Sequence, residues 1–524
     1  MDKKVPSGLL KQEGGTHADE GETSMMLYIA PETVDMSNDS PLKRFHSLIP
    51  LISFILLAVS ACNTAESLLQ KKIRAVERGL LESVTIEGHP LKTFNLEERM
   101  LYYRVPGLLL LVFNHHQVEW MKPYGFRDVG TASPVTENTL FQAGELSQPL
   151  TALAVMRLAE KNIIEMDRDI NQYLHDWKVP LNKLTRESPV TLRALLCHTA
   201  GFSYPVLPSI PLGEPIPTPA DILQGRRPAK NDPLQVRFKP GSEVGISAAG
   251  YAIVEQILED VTGMSFADHM DKTVLRPLNL LRSTFNPLPL DHNEVSSGHT
   301  RMGEPFENGR TIQPVPASSG LWTSAGDLAT IILSLVKTAQ GEEPGFISPS
   351  SARLLFTPVA ANMAMGLNVD DRGNKLNLNR WGKTDGFTAY LIFYPERGQG
   401  AIFLSNSTNG LFLIEEILRS VAAAYKWPHF APQEKKLFRL DPDVYARYVG
   451  RYEVNPDYIL DITYEDYYLV IQPTGQAPTR FYVENPTTFF STSPHIQIQF
   501  LRNPDNSTMG LILRQAGTEN RAKK

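Results

Sequence analysis

Hydrophobic residues recur with a helical period in some parts of the chain and flank short polar turns in others. The helical period predicts amphipathic helices over 148–161, 249–263, 325–337 and 413–425. Paired apolar runs around polar turns predict β-hairpins over 108–126 and 387–405. Because the hairpins flank a mostly helical middle, we expect an antiparallel sheet built from both ends of one domain and covered by helices.

The pattern changes to strand-like alternation near the C-terminal end. The stretches YILDITYEDYYLVIQ and IQIQFL alternate apolar and polar residues and are separated by Pro, Asn and Gly turns. Residues 440–524 are therefore predicted to form a separate, small all-β domain. The Pro- and Lys-rich residues before it, 429–439, are predicted to be a linker.

The N-terminal end carries a pattern of another kind. Lys43 and Arg44 precede an apolar run from Leu48 to Ala61, and this run is shorter than the roughly 20 residues of a membrane-spanning helix. A basic region, a short apolar run and small residues before Cys62 are typical of a secretory signal. The letters SAC at its end resemble a bacterial lipobox, so we predict lipid attachment at Cys62. An uncleaved anchor or a merely buried cysteine remains an alternative.

Residues 1–62 are accordingly interpreted as a leader, with translation from Met36 as an alternative start. Apolar residues follow it at helical spacing, namely Leu68, Leu69, Ile73, Val76 and Leu80. We predict that 63–90 forms a stalk helix between the membrane and the folded domain.

Composition refines this picture mainly by exclusion. Acidic residues (57) outnumber basic ones (51), giving a formal net charge of −6 without a visible basic patch, which argues against nucleic-acid binding. Two cysteines do not make a disulfide framework. His115 and His116 lack the helical His-Glu-x-x-His spacing of zinc proteases, and Asp268, His269 and Asp271 are predicted on the wet face of a helix. We predict no metal, cofactor or nucleotide.

Five stretches in a fixed order carry a resemblance to a known family. They are FQAGELSQPLTALAVMRL (141–158), VTLRALLCHTAGF (190–202), FKPGSEVGISAAGYAIVEQILEDVTG (238–263), GLWTSAGDLA (320–329) and GFTAYLIFYPERGQGAIFLSNS (386–407). On these motifs the chain resembles the serine β-lactamase and penicillin-binding-protein-like superfamily, in particular the β-lactamase-related serine hydrolases. The resemblance implies an α+β fold over 91–428, with an antiparallel sheet flanked by helices and a mostly helical subdomain. It also implies a barrel-like C-terminal domain.

The first catalytic motif of that family is degenerate in this chain. Active members carry Ser-x-x-Lys, because a hydroxyl is a weak nucleophile until a nearby base takes its proton. Aligned through FQAG and TALAV, the serine position holds Glu145 and the lysine position holds Gln148. An amide does not accept a proton near neutral pH. Ser147 is offset by two positions and is predicted to cap the helix instead.

The other two motifs are also altered. The second, Tyr-x-Asn in the family, reads Ile246-Ser247-Ala248, and isoleucine offers neither a proton nor a hydrogen bond. The third, Lys-Thr-Gly or His-x-Gly, is matched by Lys383-Thr384, but Asp385 stands in place of glycine and the loop before GF reads as shortened. Lys383 is either a relic of the motif or a solvated loop lysine. His198, in a family landmark near the cleft, is predicted to be structural.

These observations predict a family fold without the family's chemistry. We expect a lipid-anchored protein on the periplasmic or extracellular face of a bacterial envelope, which binds a peptidoglycan fragment or small amphiphile. An active hydrolase that uses Glu145 as a base or nucleophile is the alternative, and a purely structural protein with a closed cleft is another. We also predict an ion pair between Glu145 and Lys383, with a solvated Glu145 as the alternative.

Overall fold

The computed structural model describes residues 67–202, 207–287, 294–342, 345–360, 362–373, 375–515 and 518–524. The predicted signal and its Cys62 lie outside these residues. Residues 72–524 form one compact unit. Among the described residues, no helix is both long and apolar enough to span a membrane.

The predicted stalk helix is shorter than its sequence pattern indicates. Residues 67–78 are helical, and short strands follow at Leu80–Leu81 and Val84–Ile86. Ile73, Val76 and Leu80 are buried. The helical spacing therefore marks a segment that packs within the 72–524 unit, and the part beyond residue 78 is not a stalk helix.

A seven-stranded antiparallel sheet lies at the centre of the 72–524 unit. Its strands are β1 (Gly107–Asn114), β2 (Gln117–Asp128), β3 (Ser133–Pro134), β4 (Asn368–Asp370), β5 (Asn377–Thr384), β6 (Phe387–Tyr394) and β7 (Gln399–Ser405). They are arranged in the order β4-β5-β6-β7-β1-β2-β3. Both predicted hairpins are confirmed, and the pairing of β7 with β1 joins the two ends of the domain.

The burial of the middle strands of this sheet explains why their sequences are almost entirely apolar. Strands β1 and β6 are buried along nearly their whole length, so they are apolar at successive positions instead of alternating. A strand covered on both faces has no solvent side to fill with polar residues. The longest apolar runs of the domain therefore lie at the centre of the sheet.

Besides the helix over 67–78, six helices of at least eight residues are assigned in the described part of the chain. They are α1 (Leu96–Tyr103), α2 (Ser147–Glu160), α3 (Ala248–Thr262), α4 (Ala325–Gln340), α5 (Pro349–Phe356) and α6 (Gly410–Tyr425). Shorter helices cover Lys183–Glu187, Leu192–Leu196, Pro219–Gln224, Phe266–Met270, Pro316–Ser319 and Pro442–Ala446. The predicted helices are confirmed with small changes at their ends. Ser247 and Ser324 accept backbone N–H groups at the starts of α3 and α4, and left-handed Gly263 and Gly341 end them.

The C-terminal residues form a closed barrel of eight antiparallel strands. These are β8 (Gly450–Asn455), β9 (Tyr458–Glu465), β10 (Tyr468–Pro473), β11 (Thr479–Asn485), β12 (Thr488–Phe490), β13 (Ile496–Arg502), β14 (Thr508–Gln515) and β15 (Thr518–Lys523). The barrel has its own apolar cluster, which includes Tyr445, Tyr448 and Phe500. The predicted all-β, barrel-like end is confirmed. The predicted linker contains a strand, Gln433–Lys435, which pairs in parallel with Val84–Ile86.

Helix α2 lies deep in the core of the main domain. Its residues from Ser147 to Met156 are buried almost all round, although the sequence pattern predicts a helix with one wet face. A polar side chain in such a helix is costly unless it is hydrogen-bonded. The partners of Ser147, Gln148 and Thr151 therefore define what lies around the start of this helix.

Candidate functional site

The start of α2 lies directly against the edge of strand β5. A short 3₁₀ turn, Gly144–Leu146, leads into the helix. Gly144 has φ +54°, and a Cβ atom there would lie 2.4 Å from the backbone nitrogen of Lys383. A Cβ on Gly382 would lie 1.9 Å from the carbonyl oxygen of Ala143. The two backbones approach as closely as glycine alone permits, so this contact fixes Glu145 beside the strand.

Glu145 binds the backbone of the strand and not a side chain. Its Oε2 accepts a hydrogen bond of 2.8 Å from the backbone N–H of Lys383. The predicted ion pair is wrong, since none of the ion pairs among the described residues joins this carboxylate to the Lys383 ammonium. A solvated Glu145 that swings away is equally excluded by this contact. The strand edge presents an N–H group to the carboxylate, and that donor is what Glu145 uses.

Side chains along β5 alternate between buried and exposed positions, which explains why the Lys383 ammonium group does not pair with Glu145. Arg380, Gly382 and Thr384 are buried, whereas Lys383 is exposed, and Trp381 stacks on Tyr390 with 4.1 Å between ring centroids. Reduced hydration lowers the pKa of Lys383, and Arg301 lowers it further, while Glu145 and Asp385 act in the opposite direction. Lys383 is therefore an outward-facing residue of the strand end.

Gln148, at the position of the family's lysine, is 1% exposed and fully engaged. Its Oε1 lies 3.0 Å from His198 Nε2 and accepts a 2.5 Å hydrogen bond from Arg380. Its Nε2 donates to Ser318 Oγ at 3.2 Å. We call these four residues, Gln148, His198, Ser318 and Arg380, the site floor. Every polar atom of the amide has a partner, so Gln148 is held in one orientation.

His198 is a neutral member of this floor. Its Nδ1 accepts the backbone N–H of Ser247 at 3.2 Å, which leaves Nε2 to carry the proton and donate to Gln148. Burial lowers its pKa to about 3, and Arg380 also lowers it. The prediction that His198 is structural agrees with this geometry. His198 connects the start of α3 to the start of α2.

Two members of the floor, Ser318 and Arg380, were not predicted from the sequence, and Arg380 is the charged one. It is 4% exposed, and its Nε has no hydrogen-bond partner in the described part of the chain. Burial lowers its pKa, whereas Glu145 and Tyr251 raise it. Its charge therefore lies beneath the positions at which the family has its nucleophile and base.

The position of Arg380 corrects the interpretation of the third motif. The basic-x-Gly pattern is carried by Arg380-Trp381-Gly382, because Arg380 reaches the floor and Gly382 packs on Ala143. Strand β5 runs to Thr384, and a two-residue turn leads from it into β6. Lys383-Thr384 therefore matches the family motif in residue type but not in its position in the structure. The hydroxyl of Thr384 is buried without a partner among the described residues.

The hydroxyl group of Ser147 is engaged in two hydrogen bonds to the backbone. Ser147 is the first residue of α2 and not its cap, which corrects the sequence prediction. Its hydroxyl donates to the carbonyl oxygen of Gly144 at 2.7 Å and accepts the N–H of Leu321 at 3.0 Å. Ser147 therefore joins the 3₁₀ turn to the segment that precedes α4.

The second motif retains its place but presents no catalytic group. Ile246 is 64% exposed, Ser247 accepts the N–H of Gly250 at 3.3 Å, and Ala248 begins α3. We call Glu145, Ile246 and Lys383 the site rim. Its residues are partly or largely exposed, and they present a carboxylate, an alkyl group and an amine, without the hydroxyl or the phenol of the family motifs.

A second buried ionisable group lies beneath the floor. Glu255, within α3, accepts the N–H of Ala317 at 3.0 Å, next to Ser318 of the floor. Burial raises its pKa to about 8, so the carboxyl group is largely protonated at neutral pH. A single glutamate among the apolar positions of the predicted helix is the sequence signal that would have found it.

The remaining sequence candidates lie apart from this site. His115 and His116 form the β1–β2 turn, both with positive φ. Asp268 is exposed, but His269 is 1% exposed, so its assignment to a wet face is wrong. It lies on the side of the short helix that packs inward. The described residues hold no group of three or more His, Cys, Asp or Glu side chains arranged to bind a metal ion.

The sheet, the helix that starts against its edge and the barrel define a protein of the β-lactamase and penicillin-binding-protein class. The family model for Beta-lactamase matches residues 94–425. The chain therefore belongs to the β-lactamase family.

Individual relatives are distant in sequence. The chain is 23% identical over 432 residues to penicillin-binding protein 4* of Bacillus subtilis (strain 168), which covers 76% of this chain and 90% of that protein. It is 21% identical over 318 residues to Protein flp of Staphylococcus aureus (strain MRSA252), covering 58% of this chain and 60% of the relative.

Two solved structures share the fold. The octameric penicillin-binding protein homologue from Pyrococcus abyssi superposes with a TM-score of 0.53 at 20% identity, over 82% of this chain and 98% of the other. SurE, crystallised with D-Leu, gives a TM-score of 0.50 at 24% identity, over 81% of this chain and 97% of the other.

Proposed function

We propose that this member of the β-lactamase family forms no acyl-enzyme and acts by binding a ligand. The observation that carries the proposal is the pair of side chains at the start of α2. Glu145 is hydrogen-bonded to the strand edge, and Gln148 is bound on both ends of its amide.

Acylation of a serine needs a hydroxyl group, a proton acceptor beside it and a proton donor for the leaving group. Here the first position is a carboxylate, the second a neutral amide and the third an isoleucine. Loss of one member of such a site removes several orders of magnitude in rate. Ser147, the hydroxyl near the start of the helix, is already bound to Gly144 and Leu321.

Purified residues 63–524 should therefore remain unlabelled by a fluorescent fluorophosphonate and should not turn over a chromogenic ester. A relative that retains Ser-x-x-Lys, treated in parallel, is the positive control. The Ser147→Ala variant separates hydrolysis through Ser147 from hydrolysis through Glu145. Turnover that is lost on Glu145→Gln would contradict the proposal and support a carboxylate-dependent hydrolase.

The proposed ligand is a peptidoglycan fragment or a small amphiphile that presents no free carboxylate to Glu145. Support comes from the family and from the carboxylate of Glu145, which already accepts the backbone N–H of Lys383. A second carboxylate about 4 Å from Glu145 would cost on the order of 4 kcal/mol at a surface-like dielectric. Calorimetric titration with muropeptides whose terminal carboxyl group is amidated or free tests this, and tighter binding of the free acid would contradict it.

The proposed location is the bacterial envelope, with attachment through lipid on Cys62. The basic residues, the short apolar run and the small residues before Cys62 support it. One acyl chain binds a bilayer only marginally, so stable attachment implies several chains. Membrane fractionation of the Cys62→Ser variant should show release or failed processing. Unchanged fractionation and electrophoretic mobility would contradict the anchor.

A further inference from the structure

The buried guanidinium of Arg380 lies in the floor without an acidic hydrogen-bond partner among the described residues. It contacts the amide oxygen of Gln148 and the ring of His198, and its Nε has no hydrogen-bond partner among the described residues. A buried charge that lacks a counter-charge is costly. The buried positive charge of Arg380 therefore favours a negatively charged group close to the floor.

Glu145 supplies that negative charge from above. It is the acidic group that raises the pKa of Arg380, and its carboxylate occupies the backbone N–H of Lys383 at 2.8 Å. The close approach of Gly144 and Gly382 leaves this N–H facing the 3₁₀ turn. One carboxylate thus combines a backbone donor with the field of a buried cation.

We propose that the Lys383 N–H and Arg380 form a binding site for a small carboxylate, and that Glu145 is its built-in occupant. The inference rests on the proposed binding function and deepens it, because it gives the reason why the site admits no ligand with a free carboxylate. A tethered carboxylate has a high effective concentration, so a free one is kept out. With both present, repulsion at about 4 Å weakens binding by roughly a thousandfold.

The proposal separates the volume of the Glu145 side chain from its charge. Glu145→Ala removes both and leaves the Lys383 N–H free for an added anion. Glu145→Gln keeps an oxygen that accepts the same N–H, so that variant stays closed although the charge is lost. Glu137→Ala, at an exposed position, changes the net charge equally and is the matched control.

The experiment is a titration with sodium acetate at constant ionic strength, followed by NMR of protein labelled with ¹⁵N-lysine. The Lys383 amide is assigned through Lys383→Arg. In Glu145→Ala we expect a saturable shift of this amide, with acetate affinity at least tenfold above that of the wild-type protein. In Glu145→Gln and Glu137→Ala we expect wild-type behaviour.

Two results would overturn the inference. One is a Glu145→Ala amide that acetate leaves unmoved, and the other is an equal gain in Glu145→Gln or Glu137→Ala. Adding Arg380→Gln to Glu145→Ala should remove the gain, and retained affinity in a folded double variant would also count against it. A covalent adduct with a fluorophosphonate or a β-lactam would instead contradict the proposed function. The failure of this inference and the failure of the proposed function are therefore distinguishable.

Discussion

The floor and the rim of the site differ although both include a residue of strand β5 and a residue at or just before the start of α2. The floor residues are each at most 4% exposed and are hydrogen-bonded to one another. Of the rim residues, Ile246 is 64% exposed, and Lys383 makes no ion pair with Glu145 in the described part of the chain. Where burial makes an unpaired polar group costly, the replaced residues have formed a new network. The rim residues are accessible to water, which satisfies their polar groups without such a network.

The largest effect that follows is on stability. Gln148→Leu removes the acceptor of Arg380 and of His198 at once and leaves both donors buried. We expect a loss of about 3–5 kcal/mol in the free energy of unfolding. Urea denaturation followed by circular dichroism measures it. A loss below about 1 kcal/mol would show that the floor is not a coupled network.

Two of the buried ionisable groups, His198 and Glu255, predict opposite pH dependences of stability. The folded-state pKa of His198 is about 3, against an ordinary 6.5. As the pH falls from 6.5 towards 3, the unfolded chain takes up a proton that the folded chain does not. Stability that is present above pH 6.5 is lost in this window, by at most about 1.4 kcal/mol per pH unit.

Glu255 acts in the other direction, since its pKa is raised from 4.5 to about 8. Its contribution is complete below pH 4.5 and is lost as the pH rises towards 8. Differences between wild type and His198→Asn, and between wild type and Glu255→Gln, should therefore slope oppositely with pH. Comparison with variants is needed because burial also lowers the pKa of His269, His299 and His495. Parallel slopes would contradict the assigned protonation states.

A smaller effect is expected at the rim. Ile246→Ala and Lys383→Ala remove exposed side chains and leave the floor intact, so each should change the free energy of unfolding by no more than about 0.5 kcal/mol. The same urea titrations measure them, and they serve as controls for Gln148→Leu. A loss comparable with that of Gln148→Leu would remove the distinction between floor and rim.

The smallest expected effect is on catalysis. Glu145→Ser combined with Gln148→Lys restores the letters of the first motif, yet we expect no efficient turnover of a chromogenic ester. The new lysine would lie beside the buried Arg380, which disfavours a second positive charge, and Ile246 still provides no proton donor. Turnover approaching that of a relative with an intact motif would show that the floor does not prevent catalysis.

The contrast also shows which features of the fold and the site are predictable from the sequence, and why the other features are not. The strands, the long helices and the altered Glu145 and Gln148 follow from periodicity and from motif spacing, which are written along the chain. The Glu145 contact to the Lys383 N–H was not predictable in this way, because every residue except proline carries a backbone N–H donor and the sequence does not show which one is used.

Arg380 was missed for a related reason. Lys383-Thr384 matches the family motif by letter, whereas the alternation of β5 decides which basic residue reaches the floor, and alternation requires the correct register. Glu255 was missed because one polar residue in an apolar helix face shows its burial only once the helix is packed.

The central claim is that the start of α2 carries no group that forms an acyl-enzyme. Intact-mass analysis of wild-type 63–524 during prolonged incubation with a β-lactam tests it most directly, beside a relative that retains Ser-x-x-Lys. We predict that the mass of this chain stays unchanged while the relative is fully acylated. A stoichiometric adduct on this chain, mapped by peptide digestion to residues 141–158, would contradict the account.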